Sequence, residues 1–210
     1  MLRNPVGLSY AVVALLGSTA LVDVFLFLSS FRVRLLMADG TDAAGFSHPG
    51  VDTASWVQSV VLLPTMVVFI VWFFRVRRNA GVFAPDLHRG GPGWAIGAWF
   101  VPVANLWWPR SVAAGTWRAS RRDPYGDGKG ESTALLNWWW AFWVASVFLG
   151  EFAGAVYDDA DRADEFEAGA GLLMAWSVVD LVAAVLAILF VRRLTSMQHA
   201  KATGMIPAAR

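Results

Sequence analysis

The chain has 210 residues, 57% hydrophobic and only 16% charged, with 12 tryptophans, no cysteine, a formal net charge of +1 and a mean hydropathy of +0.50. Soluble domains carry about 25% charged residues, so the composition argues against a soluble globule. Without cysteine, disulfides, thiolate metal sites and iron–sulfur clusters are excluded. The balanced charge argues against a general nucleic-acid binder.

Four apolar stretches predict four transmembrane helices. The first runs from about Val6 to Phe31 with Asp23 as its one charge. Arg3 and the small residues Ser18, Thr19 and Ala20 resemble a signal peptide and its cleavage site. Hydrophobicity continues through Leu28, however, which favours an uncleaved span. The second, Trp56 to Phe74, is uncharged and contains Pro64, an expected kink. The third runs from Thr133 to Phe152, with Glu151 near its far end, and the fourth from Ala168 to Val191, interrupted by Asp180. At ~1.5 Å rise per residue each crosses a hydrocarbon core of ~30 Å. The chain then reads as one transmembrane domain over residues 1–192 and a short tail over 193–210.

A fifth uncharged segment, Trp94 to Pro109, is short and holds Pro102 and Pro109. With four spans, 14 of the 17 basic residues fall on one side, among them Arg75, Arg110, Arg121, Arg192 and the neighbours of each. The other side keeps Arg32, Arg34 and Arg162 and collects nine acids, including Asp52 and the run from Asp158 to Glu167. The positive-inside rule places both termini and the middle loop in the cytoplasm. A fifth span would invert nine of those basic residues. Residues 94–120 are therefore read as a re-entrant or interfacial amphipathic segment.

From Arg110 onward that segment has helical periodicity. Arg110, Trp117, Arg118 and Arg121 fall on one face and Val112, Ala113, Thr116, Ala119 and Ser120 on the other. The basic face, with Arg122, is expected to meet lipid headgroups, and the small face to pack on a transmembrane helix. The run Phe100-Val101-Pro102-Val103-Ala104-Asn105-Leu106-Trp107-Trp108-Pro109-Arg110, the following Thr116-Trp117-Arg118-Ala119-Ser120, and Leu136-Asn137-Trp138-Trp139-Trp140-Ala141-Phe142-Trp143 together resemble a bacterial, largely actinobacterial, family. Its members are small four-helix integral membrane proteins classified as a domain of unknown function. The resemblance covers about Val6 to Val191 and implies a polytopic all-α fold in the bacterial plasma membrane. It brings no activity, cofactor or catalytic residue.

Two sets of residues carry the functional expectations. Charged side chains at membrane depth are costly and usually face a protein interior or a wet cavity. Asp23 and Asp180 lie at depths about one helical turn apart, so they can meet if the first and fourth helices are neighbours. They form a candidate proton or cation site, against which stands a purely structural pair bonded between helices. Glu151 is a shallower member of this polar set. Trp138, Trp139, Trp140 and Trp143 reach deeper than an aromatic belt requires, whereas the belt accounts for Trp72, Trp94, Trp107, Trp108 and Trp117. With Trp99, Trp107, Asn105 and Asn137, the deep tryptophans are candidates for the wall of a lipid or apolar-ligand cavity. The plainer reading is packing, with the two asparagines satisfying backbone freed in the middle segment.

Gly126 to Glu131 has neither P-loop nor calcium-loop spacing and reads as linker. His48, His88 and His199 lie far apart, and no Ser, His and Asp constellation is visible. The expectation is a non-enzymatic scaffold, accessory subunit or apolar-ligand-binding module, with the alternative of a small proton- or ion-coupled transporter using Asp23 and Asp180. An enzyme comes third. Expected partners are the lipid bilayer and a protein or second copy, not nucleic acid; no metal or cofactor is expected.

Overall fold

The computed structural model describes residues 2–42, 46–88, 90–126 and 131–204. Arg89, Lys129 and Arg210 of the basic set, residues 127–130 of the linker and 205–210 of the tail lie outside the described residues. The fold is all-α. Four helices are long and apolar enough to cross a membrane: α1 Val6–Ala38, α2 Pro49–Phe83, α5 Ala134–Asp158 and α6 Ala163–Gly204. Between α2 and α5 lie a short turn of helix α3 (Trp94–Gly97), two 3₁₀ turns (Pro85–Leu87 and Ala104–Leu106) and the 13-residue α4 (Trp108–Ser120). The helices outrun the apolar stretches that predict them. The 42 residues of α6 make a rod of roughly 60 Å, about twice a hydrocarbon core.

Local chemistry sets the helix ends. At the end of α1, Gly40 adopts φ +80° while its N–H bonds to Met37 O (3.1 Å) and Thr41 N–H to Leu36 O (3.2 Å). This paired arrangement needs a left-handed residue, which glycine supplies without strain. Pro49 opens α2 and Pro109 lies in the first turn of α4, where a missing N–H costs nothing. Ahead of α6, the Glu165 carboxylate accepts bonds from the backbone N–H groups of Asp161 (3.0 Å) and Arg162 (3.1 Å). Helix α2 continues through Pro64.

The chain divides into two compact units. The first comprises Met1–Leu15, Pro64–Trp140 and Leu186–Arg210, and the second Leu16–Leu63 and Ala141–Val185. The second unit has a core of Leu26, Val33, Met37, Val51, Ala54, Ala153, Tyr157, Ala170 and Leu173. In it Gly169 lets α6 lie against α5, since a Cβ there would sit 2.9 Å from Tyr157 Cα. In the first unit, Trp139 stacks on Phe190 (4.7 Å, 16°), whose ring also stacks with Trp117 (5.8 Å, 13°). Phe69, Trp72, Trp99 and Trp140 extend this aromatic core.

Within the units the usual distribution is turned inside out. Leu21, Leu62, Leu63, Phe148, Phe152 and Val178 are exposed, whereas Thr19, Asp23, Ser30, Ser146, Ser177 and Gln198 are buried. Apolar side chains outward and small or polar ones inward is the arrangement of helices solvated by lipid.

Candidate functional site

Asp23 lies mid-way along α1 and is 1% exposed. Asp180 lies well inside α6. The structure brings the two together in the second unit through a residue that the sequence reading passed over. Gln58 of α2 donates from Nε2 to Asp23 Oδ1 (3.1 Å) and to Asp180 Oδ2 (3.2 Å). One amide nitrogen carries two hydrogens, so each can serve one carboxylate. Ser146 of α5 donates its hydroxyl to Asp180 Oδ1. All four long helices thus supply one group each. An amide and a hydroxyl join the two carboxylates. Ser146 stands twelve residues from either end of Ala134–Asp158, about 18 Å of helix rise on each side.

Two buried atoms at this centre, Asp23 Oδ2 and Gln58 Oε1, receive no hydrogen bond from any amide, hydroxyl or indole donor among the described residues. Gln58, though not Asp23, lines a cavity of about 600 Å³. It runs from Asp180, Gln58 and Ser146 to Asp52, Tyr157 and Asp158 at the ends of α2 and α5, past Glu151, Trp143 and Trp176. Glu151 therefore belongs to the same cavity as Asp180, without touching the bridged pair through any hydrogen bond described here. Gly150 shapes the wall: a Cβ there would lie 2.7 Å from Trp176 Nε1. Among the described residues, no three His, Asp or Glu side chains converge as metal ligands.

The deep tryptophans divide differently from the expectation of a ligand cavity. Trp139 and Trp140 are 5% and 6% exposed and pack at 5.8 Å on each other. Trp99 meets Phe69, Phe73 and Trp140. These rings fill the space with one another, so this part of the expected ligand wall is a packed core. Trp138 is 62% exposed and Trp107 is 51% exposed, pointing away from that core. Trp143 alone of the set lines the cavity beside Asp180. The asparagines also differ from expectation. Asn137 accepts from the Arg110 guanidinium (2.7 Å), and it is the Trp140 indole N–H that bonds the Leu106 carbonyl of the middle segment (2.8 Å). Asn105 donates its backbone N–H to Val101 O (2.9 Å).

The middle segment is held in the first unit by polar contacts. Trp117, expected among headgroups, is a correction: it is 2% exposed, stacks on Phe190 and donates its indole N–H to Glu131 O (3.2 Å). Trp72, assigned to an aromatic belt, is likewise buried and bonds Thr195 Oγ1 (3.1 Å). A Trp ring gains more from a face-to-face apolar partner than from a wet interface once its N–H is satisfied. Arg118 is exposed, Arg121 donates to Glu131 O (3.0 Å), and the Arg122 N–H meets the Glu131 carboxylate (3.1 Å). The small face of α4 packs as expected, with Ala113, Gly115, Thr116, Ala119 and Ser120 buried.

Gln198 of α6 joins this face. It donates to Val76 O (2.8 Å) and Ser120 Oγ (3.0 Å) and accepts from Asn79 Nδ2 (3.1 Å), while Lys201 caps the end of α4 through Ala119 O (3.1 Å) and Arg121 O (2.8 Å). His88, in the turn before α3, is pushed below the ordinary histidine value by burial and by the Arg77 and Arg118 charges, against a hydrogen bond to Ala80 that opposes the shift. In the same unit Val103 has φ +65° and ψ −49°, and Ala104 N–H bonds Pro102 O at 2.7 Å. This is the strained form of the γ-turn, unusual for a β-branched residue.

Comparison with known families places the motif-bearing region. Residues 37–196 match the family described as "Domain of unknown function (DUF4328)". The chain belongs to this family. The match covers most of the chain, takes in α2, the middle segment and α5, and starts near the end of α1, later than the resemblance in the sequence suggests. No curated protein and no solved structure matches.

Proposed function

We propose that this DUF4328 member is a bacterial plasma-membrane protein that binds a proton, or a cation in its place, at the Asp23–Gln58–Asp180 centre and exchanges it through the adjoining cavity. The observation that carries this reading is the single Gln58 amide held between two carboxylates borne by the apolar helices α1 and α6. Two neighbouring carboxylates removed from bulk water cannot both keep a negative charge without a compensating cation, so the pair holds a shared proton or a bound positive group. Gln58 Oε1 accepts no hydrogen bond among the described residues, and Gln58 and Asp180 line open volume through which a proton or cation can reach the pair. This prefers the alternative offered by the sequence to the scaffold or accessory-subunit reading, on the strength of the bridged carboxylates; the packed aromatic cluster agrees with the plainer reading of the tryptophans.

In this reading the acidic mouth at Asp52 and Asp158 faces outward, the termini and α4 are cytoplasmic, and the middle segment lies at the cytoplasmic membrane face. The test is infrared titration of the protein in nanodiscs, with hydrogen–deuterium exchange. Wild type is expected to show an exchangeable carboxylic-acid C=O band, which Asp180→Asn removes or shifts. A band absent at every pH, or unaltered in both Asp23→Asn and Asp180→Asn, overturns the proposal.

A further inference from the structure

We propose that the cavity beside the carboxylate pair is a binding site for a lipophilic organic cation, a monovalent ammonium or phosphonium with apolar substituents, whose arrival displaces the proton. This rests on the proton-site reading above and adds the class of ligand. Three properties of the wall carry it: size, sign of charge and the nature of its apolar surface.

A volume of about 600 Å³ is far more than an inorganic ion fills. Sites for drug-sized molecules span about 300–1,000 Å³. The ionisable groups along the wall are carboxyls: Asp52 from α2, Glu151 and Asp158 from α5, and Asp180 from α6, with the Tyr157 phenol between them. Among the described residues, no Lys, Arg or His lines it. Asp23 of α1 joins from behind through Gln58. A field of one sign in a cleft concentrates cations and rejects anions.

The apolar part of the wall is aromatic. Trp143, Trp176 and Tyr157 line it, and aromatic rings attract a soft cation more than a neutral molecule. The hollow itself comes from the sequence of α5. Ser146, Gly150 and Gly154 recur every four residues and so share one helix face. Gly150 leaves room for the Trp176 indole, whereas a Cβ at Gly154 would meet nothing within 4 Å. A large side chain at Gly154 therefore enters the cavity without colliding with the backbone of another helix.

The experiment is equilibrium binding of radiolabelled tetraphenylphosphonium to the full chain in nanodiscs, with tetraphenylborate as an anion of the same shape. Saturable binding of the cation alone is expected, weakening as pH falls and releasing protons into weak buffer. Gly154→Leu should reduce affinity at least ~10-fold while the infrared carboxyl band persists, and Trp176→Ala should weaken it up to ~10-fold, with Trp176→Phe in between. Asp180→Asn should remove the pH dependence. Absence of saturable binding to protein that retains the carboxyl band overturns the cation proposal and leaves the proton reading standing. Equal binding of tetraphenylborate, or binding indifferent to Gly154→Leu, also overturns it. Loss of the carboxyl band in wild type instead removes the reading underneath.

Discussion

The two units differ in what surrounds their central polar side chains. In the first, Gln198 uses both amide hydrogens and its oxygen, Trp72 and Trp140 place their indole N–H groups on oxygen, and Lys201 reaches two carbonyls. In the second, the buried Gln58 Oε1 accepts no hydrogen bond among the described residues, and Gln58 lines a cavity. A saturated network fixes a structure, while unsatisfied groups beside open volume have free energy to give to a ligand. Under the proposed function, the aromatic unit is the scaffold and the carboxylate unit the binding centre.

That division can be broken by mutation. Trp139→Ala removes a ring 5% exposed and stacked on Phe190, so chemical unfolding in mild detergent should show a loss of about 3–5 kcal/mol. Asp180→Asn, isosteric and still hydrogen-bonding, should cost under about 1 kcal/mol in the same assay. Equal losses from the two would collapse the distinction. Gln198→Leu comes next. It strands Val76 O, Ser120 Oγ and one Asn79 hydrogen, and the expected cost is about 2–3 kcal/mol, read as a lower unfolding midpoint with proton binding intact.

A smaller effect has the opposite sign. Val103→Gly relieves the φ +65° backbone at an exposed position, at the expense of glycine's greater freedom in the unfolded chain. A net gain of about 1 kcal/mol is expected, and a fall in the melting temperature would show that the Val103 side chain contributes more than its strain costs. The smallest effect concerns His88 of the first unit, whose buried Nε2 has no partner among the described residues. Its folded value lies below the ordinary 6.5, so the unfolded chain takes up the proton first. Stability is intact above that value and declines as pH falls beneath it. Thermal unfolding at about pH 8 and about pH 5 should show this decline, and His88→Gln should reduce it.

The sequence signalled the carboxylates and missed their partners for a definable reason. An aspartate inside an apolar helix is conspicuous because its insertion cost demands explanation. Gln58, near the edge of its apolar stretch, and Ser146, small and common in such helices, carry little signal until a neighbouring helix brings an acid to them. The tryptophans failed the other way. Trp72, Trp117 and Trp139 look alike in a list of residues, and a ring's value as anchor, wall or core depends on which faces another helix covers. Gln198 and Asn79 fall in the helical extensions beyond the apolar runs, where polarity alone suggests solvent.

Hydrophobicity, helix length and the uneven placement of arginine were enough to determine an all-α chain with four membrane-length helices and a separate amphipathic helix. These properties add up along the chain and depend on no distant partner. Which aspartate meets which amide, which indoles fill space, and where a stripe of small residues becomes a cavity were decided by tertiary packing. Each depends on side chains from different helices arriving within hydrogen-bond or ring contact, and the pattern within a single helix does not encode its neighbours.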